Sequence, residues 1–270
     1  MAIINRTPDS FFDEGKTFGL DAAVRAALAA AQDGADWVDI GGVPFGRGPV
    51  VSVQEELDRV VPVVEAISAN SDVVISVDTT NAEVARASIL AGAGVINDTS
   101  GLYDPDMAST VAQSEATLVL THSLEPPRNG PRRPEYTDVV DEVVDFMRDR
   151  IERSVAAGIP RERLIVDPGH DLNKNTFHTL ELTRRLEEVV ALGLPVLVAV
   201  SNKDFIGETL DRAKDKRLEG SIAAAVICIL KGARIVRMHD VPAAVAAVRM
   251  TEAILGFRQP AYAIHNRPEA

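Results

Sequence analysis

Eight times along this chain a short run rich in Val and Ile gives way to a longer stretch with helical periodicity, and that alternation limits the fold more than any other feature. The runs predicted as strands are 2–5, 37–40, 73–77, 94–96, 117–121, 164–166, 196–200 and 235–237. The stretches predicted as helices are 21–33, 53–68, 82–91, 105–113, 138–157, 176–192, 218–231 and 243–255. Four of these helices run into glycine just before the next strand, at Asp33-Gly34-Ala35, Ala91-Gly92-Ala93, Ala156-Ala157-Gly158 and Lys231-Gly232-Ala233. Each glycine is expected to end its helix in the left-handed conformation. Strands apolar on both faces imply a parallel sheet covered by helices. Eight units in 270 residues point to an α/β fold, a single-domain (β/α)8 TIM barrel, a fold that typically takes ~250 residues. A doubly wound open sheet is the alternative, but it seldom uses eight consecutive regular units.

Composition removes several function classes. The net charge is −12 with no basic run to track a phosphate backbone, so nucleic acid is not expected as a partner. One cysteine excludes an intramolecular disulfide, and with five histidines it leaves no thiolate-based metal site. The longest apolar stretch, 222–230, is nine residues, against ~20 needed to span a bilayer, so no membrane is expected. Asn5, Arg6, Asp9 and Asp13 interrupt any signal-peptide core, and the expected location is the cytoplasm. The barrel is expected over 1–258, with 259–270 a loosely attached tail and 125–135 a loop rich in Pro and Arg. Since the first strand begins at Met1, a segment closing the lower end of the barrel is expected to be absent or outside this sequence.

In such a barrel chemistry sits at the carboxyl ends of the strands. Those ends carry Asn5, Asp39, Asp78, Asn97 with Asp98, His122, Asp167, Ser201 with Lys203, and Arg237 with His239. Any one of them suits a turn or a helix cap. Eight together read as a polar ligand pocket. Closure makes the eighth strand a neighbour of the first, so Arg237, His239 and Asn5 converge as an oxyanion or diphosphate site, where the Asn5 amide oxygen can also ligate Mg²⁺. Asp78, Asn97 and Asp167 form a second sector suited to a flat heterocycle bearing amino and amide groups, and Lys203 lies within reach of it. The two sectors are expected to act separately, Arg237 on the diphosphate alone.

The chain resembles the dihydropteroate synthase family over nearly its whole length. The resemblance rests on Asn5-Arg6-Thr7-Pro8-Asp9-Ser10-Phe11, Asp39-Ile40-Gly41-Gly42, Ser76-Val77-Asp78-Thr79 and Ile96-Asn97-Asp98-Thr99-Ser100-Gly101, then Asp167-Pro168-Gly169, Ser201-Asn202-Lys203-Asp204-Phe205-Ile206-Gly207 and Arg237-Met238-His239-Asp240. It implies a folate-pathway enzyme that joins 4-aminobenzoate to 6-hydroxymethyl-7,8-dihydropterin diphosphate, releasing diphosphate with Mg²⁺. It further implies that Asp78, Asn97, Asp167 and Lys203 hold the pterin, with Asp78, Asp167 and Lys203 the catalytic groups, and that Asn5, Arg237 and His239 hold the diphosphate. The family forms dimers, and the apolar helices at 221–230 and 243–255 would suit a homodimer contact. No covalent nucleophile is required, in keeping with Cys228 inside an apolar helix.

The second-substrate half departs from the family pattern. The family's Glu-Ser-Thr-Arg-Pro-Gly is here Val43-Pro44-Phe45-Gly46-Arg47-Gly48-Pro49, where only Arg47 can replace the loop Arg, out of register. Arg6 stands where the family has an apolar residue. Ser-Arg-Lys-Ser becomes Ser201-Asn202-Lys203-Asp204, and Asp204 is expected to repel a benzoate. Gly-Phe-Gly-Lys gives way to His170-Asp171-Leu172-Asn173-Lys174. Two readings follow, a synthase of altered efficiency or acceptor and a degenerate paralogue that still binds pterin. A folate-dependent methyltransferase domain is a third, which the diphosphate residues argue against; a non-enzymatic scaffold has no use for them either. His122 is expected to line the pocket, His170 and His178 to face solvent, Trp37 to lie in the barrel core, and Arg148 to pair with Glu152 on an acidic helix.

Overall fold

The computed structural model describes residues 1–6, 19–44, 48–124 and 134–266. The first half of the barrel is β1 (Ala2–Asn5), α1 (Leu20–Gln32), β2 (Trp37–Gly41), α2 (Val53–Ser68), β3 (Val74–Asp78), α3 (Ala82–Ala91), β4 (Val95–Asp98) and α4 (Met107–Ala112). The second half is β5 (Thr117–Thr121), α5 (Val139–Ala156), β6 (Leu164–Asp167), α6 (Thr176–Arg184), α7 (Leu186–Val190), β7 (Leu197–Val198), α8 (Asp204–Leu210), α9 (Leu218–Leu230), β8 (Ile235–Val236) and α10 (Val241–Ile254).

β1 to β6 form one parallel sheet in chain order, and β7 pairs with β8. Isolated parallel bridges, Val166 to Val196 and Ala2 to Met238, join the two sheets at both seams. Amides cross them as well: Val166 N donates to Pro195 O at 3.1 Å, and Ile3 N to Met238 O at 3.2 Å. The sheet closes on itself, which puts β8 beside β1. Gly34, Gly92, Gly158 and Gly232 all have positive φ, so the four helix stops form as expected.

Two expectations about helices need correction, and one helix, α8, has no counterpart among the predicted stretches. The stretch 176–192 is two helices meeting at Arg185 (φ −108°, ψ 25°), whose guanidinium bonds Asp138 Oδ2 and Glu188 Oε1, each at 2.7 Å. The seven-residue α8 is too short for helical periodicity to stand out in the sequence. Arg148 pairs with Asp145 at 2.8 Å, one turn back, rather than with Glu152.

Two apolar cores result from strand alternation. Val95, Val119, Ile165 and Leu197 pack inside the barrel together with Met1, Trp37, Ala199 and Ile235. Ile40, Leu118, Leu120, Leu164, Val166 and their neighbours pack outward against the helices. Cys228 is buried in this outer layer, and burial pushes its thiol up to about 12, leaving it inert.

Candidate active site

The inner plug determines which polar residues face the barrel mouth. Side chains two apart on a strand share a face. Trp37, Val95, Val119, Ile165 and Ile235 point inward, so the next inward positions are Asp39, Asn97, Thr121, Asp167 and Arg237. The β3 contribution is Ser76 and Asp78. A ring of polar side chains therefore lies directly on an apolar floor.

Asp39 is the hub of that ring, with no exposed surface. Its carboxylate accepts from Ser76 Oγ at 2.6 Å, Asn97 Nδ2 at 3.1 Å and Arg237 Nε at 2.6 Å. Arg237 also donates from Nη2 to Asp78 Oδ2 at 3.0 Å, and Thr99 Oγ1 donates to Asp78 Oδ1 at 3.1 Å. Burial holds the Asp78 carboxyl above the ordinary carboxylate range, and the Arg237 charge opposes this. Across the ring Asp167 Oδ1 accepts the Gly169 amide at 2.8 Å. Burial raises the Asp167 carboxyl too, partly offset by that bond and by Lys203. Two buried atoms of the ring, Asn97 Oδ1 and Thr121 Oγ1, have no hydrogen-bond partner among the described residues. Orphans of this kind cost about 1–3 kcal/mol each, and a ligand edge would satisfy them.

The loop after β6 wraps around an ammonium. Lys174 Nζ donates to Gly169 O and Leu172 O, both at 3.0 Å, and lies 2.8 Å from His122 Nδ1. Burial brings its pKa down to about 7. Gly169 (φ +69°) permits the tight approach, since a Cβ there would stand 2.3 Å from His122 O. This wrapping folds His170 inward, contrary to the solvent-facing expectation. It is 1% exposed, both ring nitrogens lack partners among the described residues, and burial lowers its pKa to about 3. His178 is half-buried, its Nδ1 accepting the Asn175 amide at 3.4 Å in a capping box. His122 does not line the pocket: Thr121 points inward, so His122 points outward, its ring 4.7 Å from that of Phe146.

At the other side of the mouth Asn5 pairs with Gly41, and the Asn5 amide oxygen lies 3.6 Å from where a Gly41 Cβ would be, with Asp78 Cβ 3.8 Å from the same point. Asn5 and Asp78 thus converge across a bare glycine. His239 meets Ser201, its backbone amide 3.2 Å and its Nδ1 2.9 Å from Oγ. Among the described residues no group of three or more His, Cys, Asp or Glu can hold a metal. Asn5 fits Mg²⁺ as a single oxygen ligand only, which suits an ion carried mostly by phosphate oxygens.

Residues 1–239 match the family model of pterin binding enzymes. The chain is 47% identical over 266 residues to "Inactive dihydropteroate synthase 2" of Mycobacterium leprae, covering 96% of this chain and 91% of the relative. It is 42% identical over 260 residues to "Dihydropteroate synthase" of Escherichia coli, covering 96% and 92%. The chain belongs to the dihydropteroate synthase family. A solved member, dihydropteroate synthase from Xanthomonas albilineans in complex with 7,8-dihydropteroate, superposes with a TM-score of 0.85 at 40% identity, covering 94% of this chain and 92% of that one.

On this dihydropteroate synthase-family barrel the structure brings together Asp78, Asn97 and Arg237 through Asp39, and it joins the two sectors that strand order separated. Lys203 precedes α8 on the Asp167 side; burial lowers its pKa, with Asp171 and Asp167 opposing the shift. Asp98 instead caps its own loop, accepting the amides of Ser100 and Leu102 at 2.9 and 2.6 Å. Asn202 is buried at φ +56°, its backbone N–H donating to Ser221 Oγ at 2.9 Å. Asp204 is exposed and paired with Arg217 at 2.9 Å, so its charge does not stand uncompensated as the sequence suggested. Arg6 donates to the carbonyls of Asp58 and Arg59 on α2. Arg47, 7–18 and 125–133 lie outside the described residues. Sequence reading passed over Asp39 as a hub, Thr121, and Lys174. Inward parity identifies the first two; the loop geometry that buries Lys174 has no sequence signal.

Proposed function

We propose that this barrel mouth holds 6-hydroxymethyl-7,8-dihydropterin diphosphate and performs dihydropteroate synthase-type transfer, slowly with 4-aminobenzoate. The observation that carries the reading is the pair of buried orphans, Asn97 Oδ1 and Thr121 Oγ1, beside the partly engaged carboxylate of Asp167. Donors on a pterin edge would satisfy them. Asp78, Asp167 and Lys203 would fix ring tautomer and position; Asn5, Arg237 and His239 would take the diphosphate. The methylene C–O bond breaks with its electron pair leaving on diphosphate, and the amine nitrogen forms the new C–N bond and loses a proton. Mg²⁺ on the diphosphate, with Asn5 as one ligand, would neutralise leaving-group charge.

Reduced turnover follows from the residues at 202–204 and 47. Neither the neutral Asn202 nor Asp204, which is tied to Arg217, brings a cation to a carboxylate, and Arg47 is left as the cation proposed for that side. A diphosphate-release assay with and without 4-aminobenzoate tests the reading. Magnesium-dependent release is expected at a low rate, and Asp204→Ser should raise it several-fold at under ~1 kcal/mol of stability, since exposed pairs are worth little. Failure of pterin diphosphate to bind at all would overturn the assignment.

No helix among the described residues is long and apolar enough to cross a membrane. We place the protein in the cytoplasm as a homodimer joined through α9 and α10, where Ile227, Leu230, Met250 and Ile254 are exposed. Sedimentation as a dimer that Ile254→Glu dissociates is the expected result; a monomer at micromolar concentration would rule the contact out.

A further inference from the structure

The Ser201 hydroxyl is buried at the turn between β7 and α8, and among the described residues its hydrogen-bonding partners belong to one residue. Oγ lies 3.2 Å from His239 N and 2.9 Å from His239 Nδ1, with no other partner among the described residues. A backbone amide can only donate, so Oγ accepts there. One hydroxyl hydrogen remains, and Nδ1 is the acceptor within reach. Were Nδ1 protonated instead, both contacts would deliver hydrogens to Oγ and the buried O–H would be left unmade, which is costly. The bond geometry therefore selects the ring with its proton on Nε2.

We propose that Ser201 is a positioning residue for the anion side of the mouth: its hydroxyl donates to Nδ1 and so fixes His239 as the neutral Nε2–H donor offered to diphosphate oxygens. This rests on the diphosphate role proposed for His239. The contact also links the ends of β7 and β8, whose own ladder is two residues long, so the ring is held from the adjacent strand. A rotation about χ1 or χ2 of His239 would break the Nδ1 contact. Orientation and tautomer are thereby set together.

The test uses the full chain labelled with ¹⁵N-histidine. Long-range ¹H–¹⁵N spectra, with His239 assigned by its loss in His239→Gln, are expected to show the Nε2–H tautomer in the parent protein and a mixture in Ser201→Ala. Inorganic diphosphate with Mg²⁺, titrated by calorimetry, should bind ~10-fold more weakly to Ser201→Ala, the value of one net hydrogen bond. Free 6-hydroxymethyl-7,8-dihydropterin should bind unchanged, and Ser201→Thr should restore both the tautomer and diphosphate affinity, which a packing role would not require. An Nδ1–H tautomer in the parent protein overturns the proposal even if Ser201→Ala fails to fold. Diphosphate affinity that His239→Gln lowers but Ser201→Ala does not overturns it while sparing the diphosphate reading. Affinity indifferent to His239→Gln overturns both.

Discussion

Arg237→Ala is expected to unfold the barrel mouth and abolish binding of pterin and diphosphate together. The guanidinium bonds Asp39 and Asp78 at once, and Asp39 has no access to water. Removing the cation strands a buried carboxylate whose remaining donors are the Ser76 hydroxyl and the Asn97 amide. Breaking such a pair from one side costs on the order of 3–5 kcal/mol, roughly 10 °C of melting temperature in a chain of this size. Strand order alone places Arg237 in the diphosphate sector, where its loss would weaken the diphosphate form far more than free hydroxymethyl-dihydropterin. The structure predicts loss of both ligands, because Asn97 and Asp78 are held in place through the same network. Calorimetric titration of both ligands, with thermal melts, separates the two views. A stable variant that retains pterin and loses only diphosphate would show that the Asp39 hub does not need Arg237. Arg237→Lys should fall between, since one ammonium cannot fork to two carboxylates.

Acid should destabilise the protein through His170. Its pKa falls from 6.5 in the unfolded chain to about 3 in the fold, by burial first and then by the Lys174 and Lys203 charges. Between those values the unfolded state binds a proton that the folded state refuses, so stability is full above pH 6.5 and is lost as pH falls toward 3. At pH 5 the loss amounts to about 2 kcal/mol. His170→Leu should remove that component and, having no ring nitrogens to leave unpartnered, should match or exceed the parent at pH 7. Urea unfolding of both proteins at pH 7 and pH 5 reads the difference directly. Other titrating groups, including Asp167 and Asp78, contribute to each curve alike and cancel in the comparison. Equal pH slopes in the two proteins would mean that His170 is protonated without cost in the fold.

The alternation of short Val- and Ile-rich runs with stretches of helical periodicity was enough to determine the eight strand–helix units and their parallel order. A run apolar on both faces must be covered on both sides, and in a parallel barrel that leaves little freedom in the order of strands. The glycine stops at 34, 92, 158 and 232 were legible for the same local reason: a backbone conformation that other residues resist. Tertiary structure alone decided how the ring is wired. Whether Arg237 belongs to one sector or, through Asp39 and Asp78, to both, whether His170 meets water or the interior, and whether Asp204 stands alone or beside Arg217 depend on distances that only the folded chain sets. Burial then converts those distances into energy, because a charge or ring nitrogen removed from water takes its protonation state and its partners from whatever the fold has placed within about 3 Å.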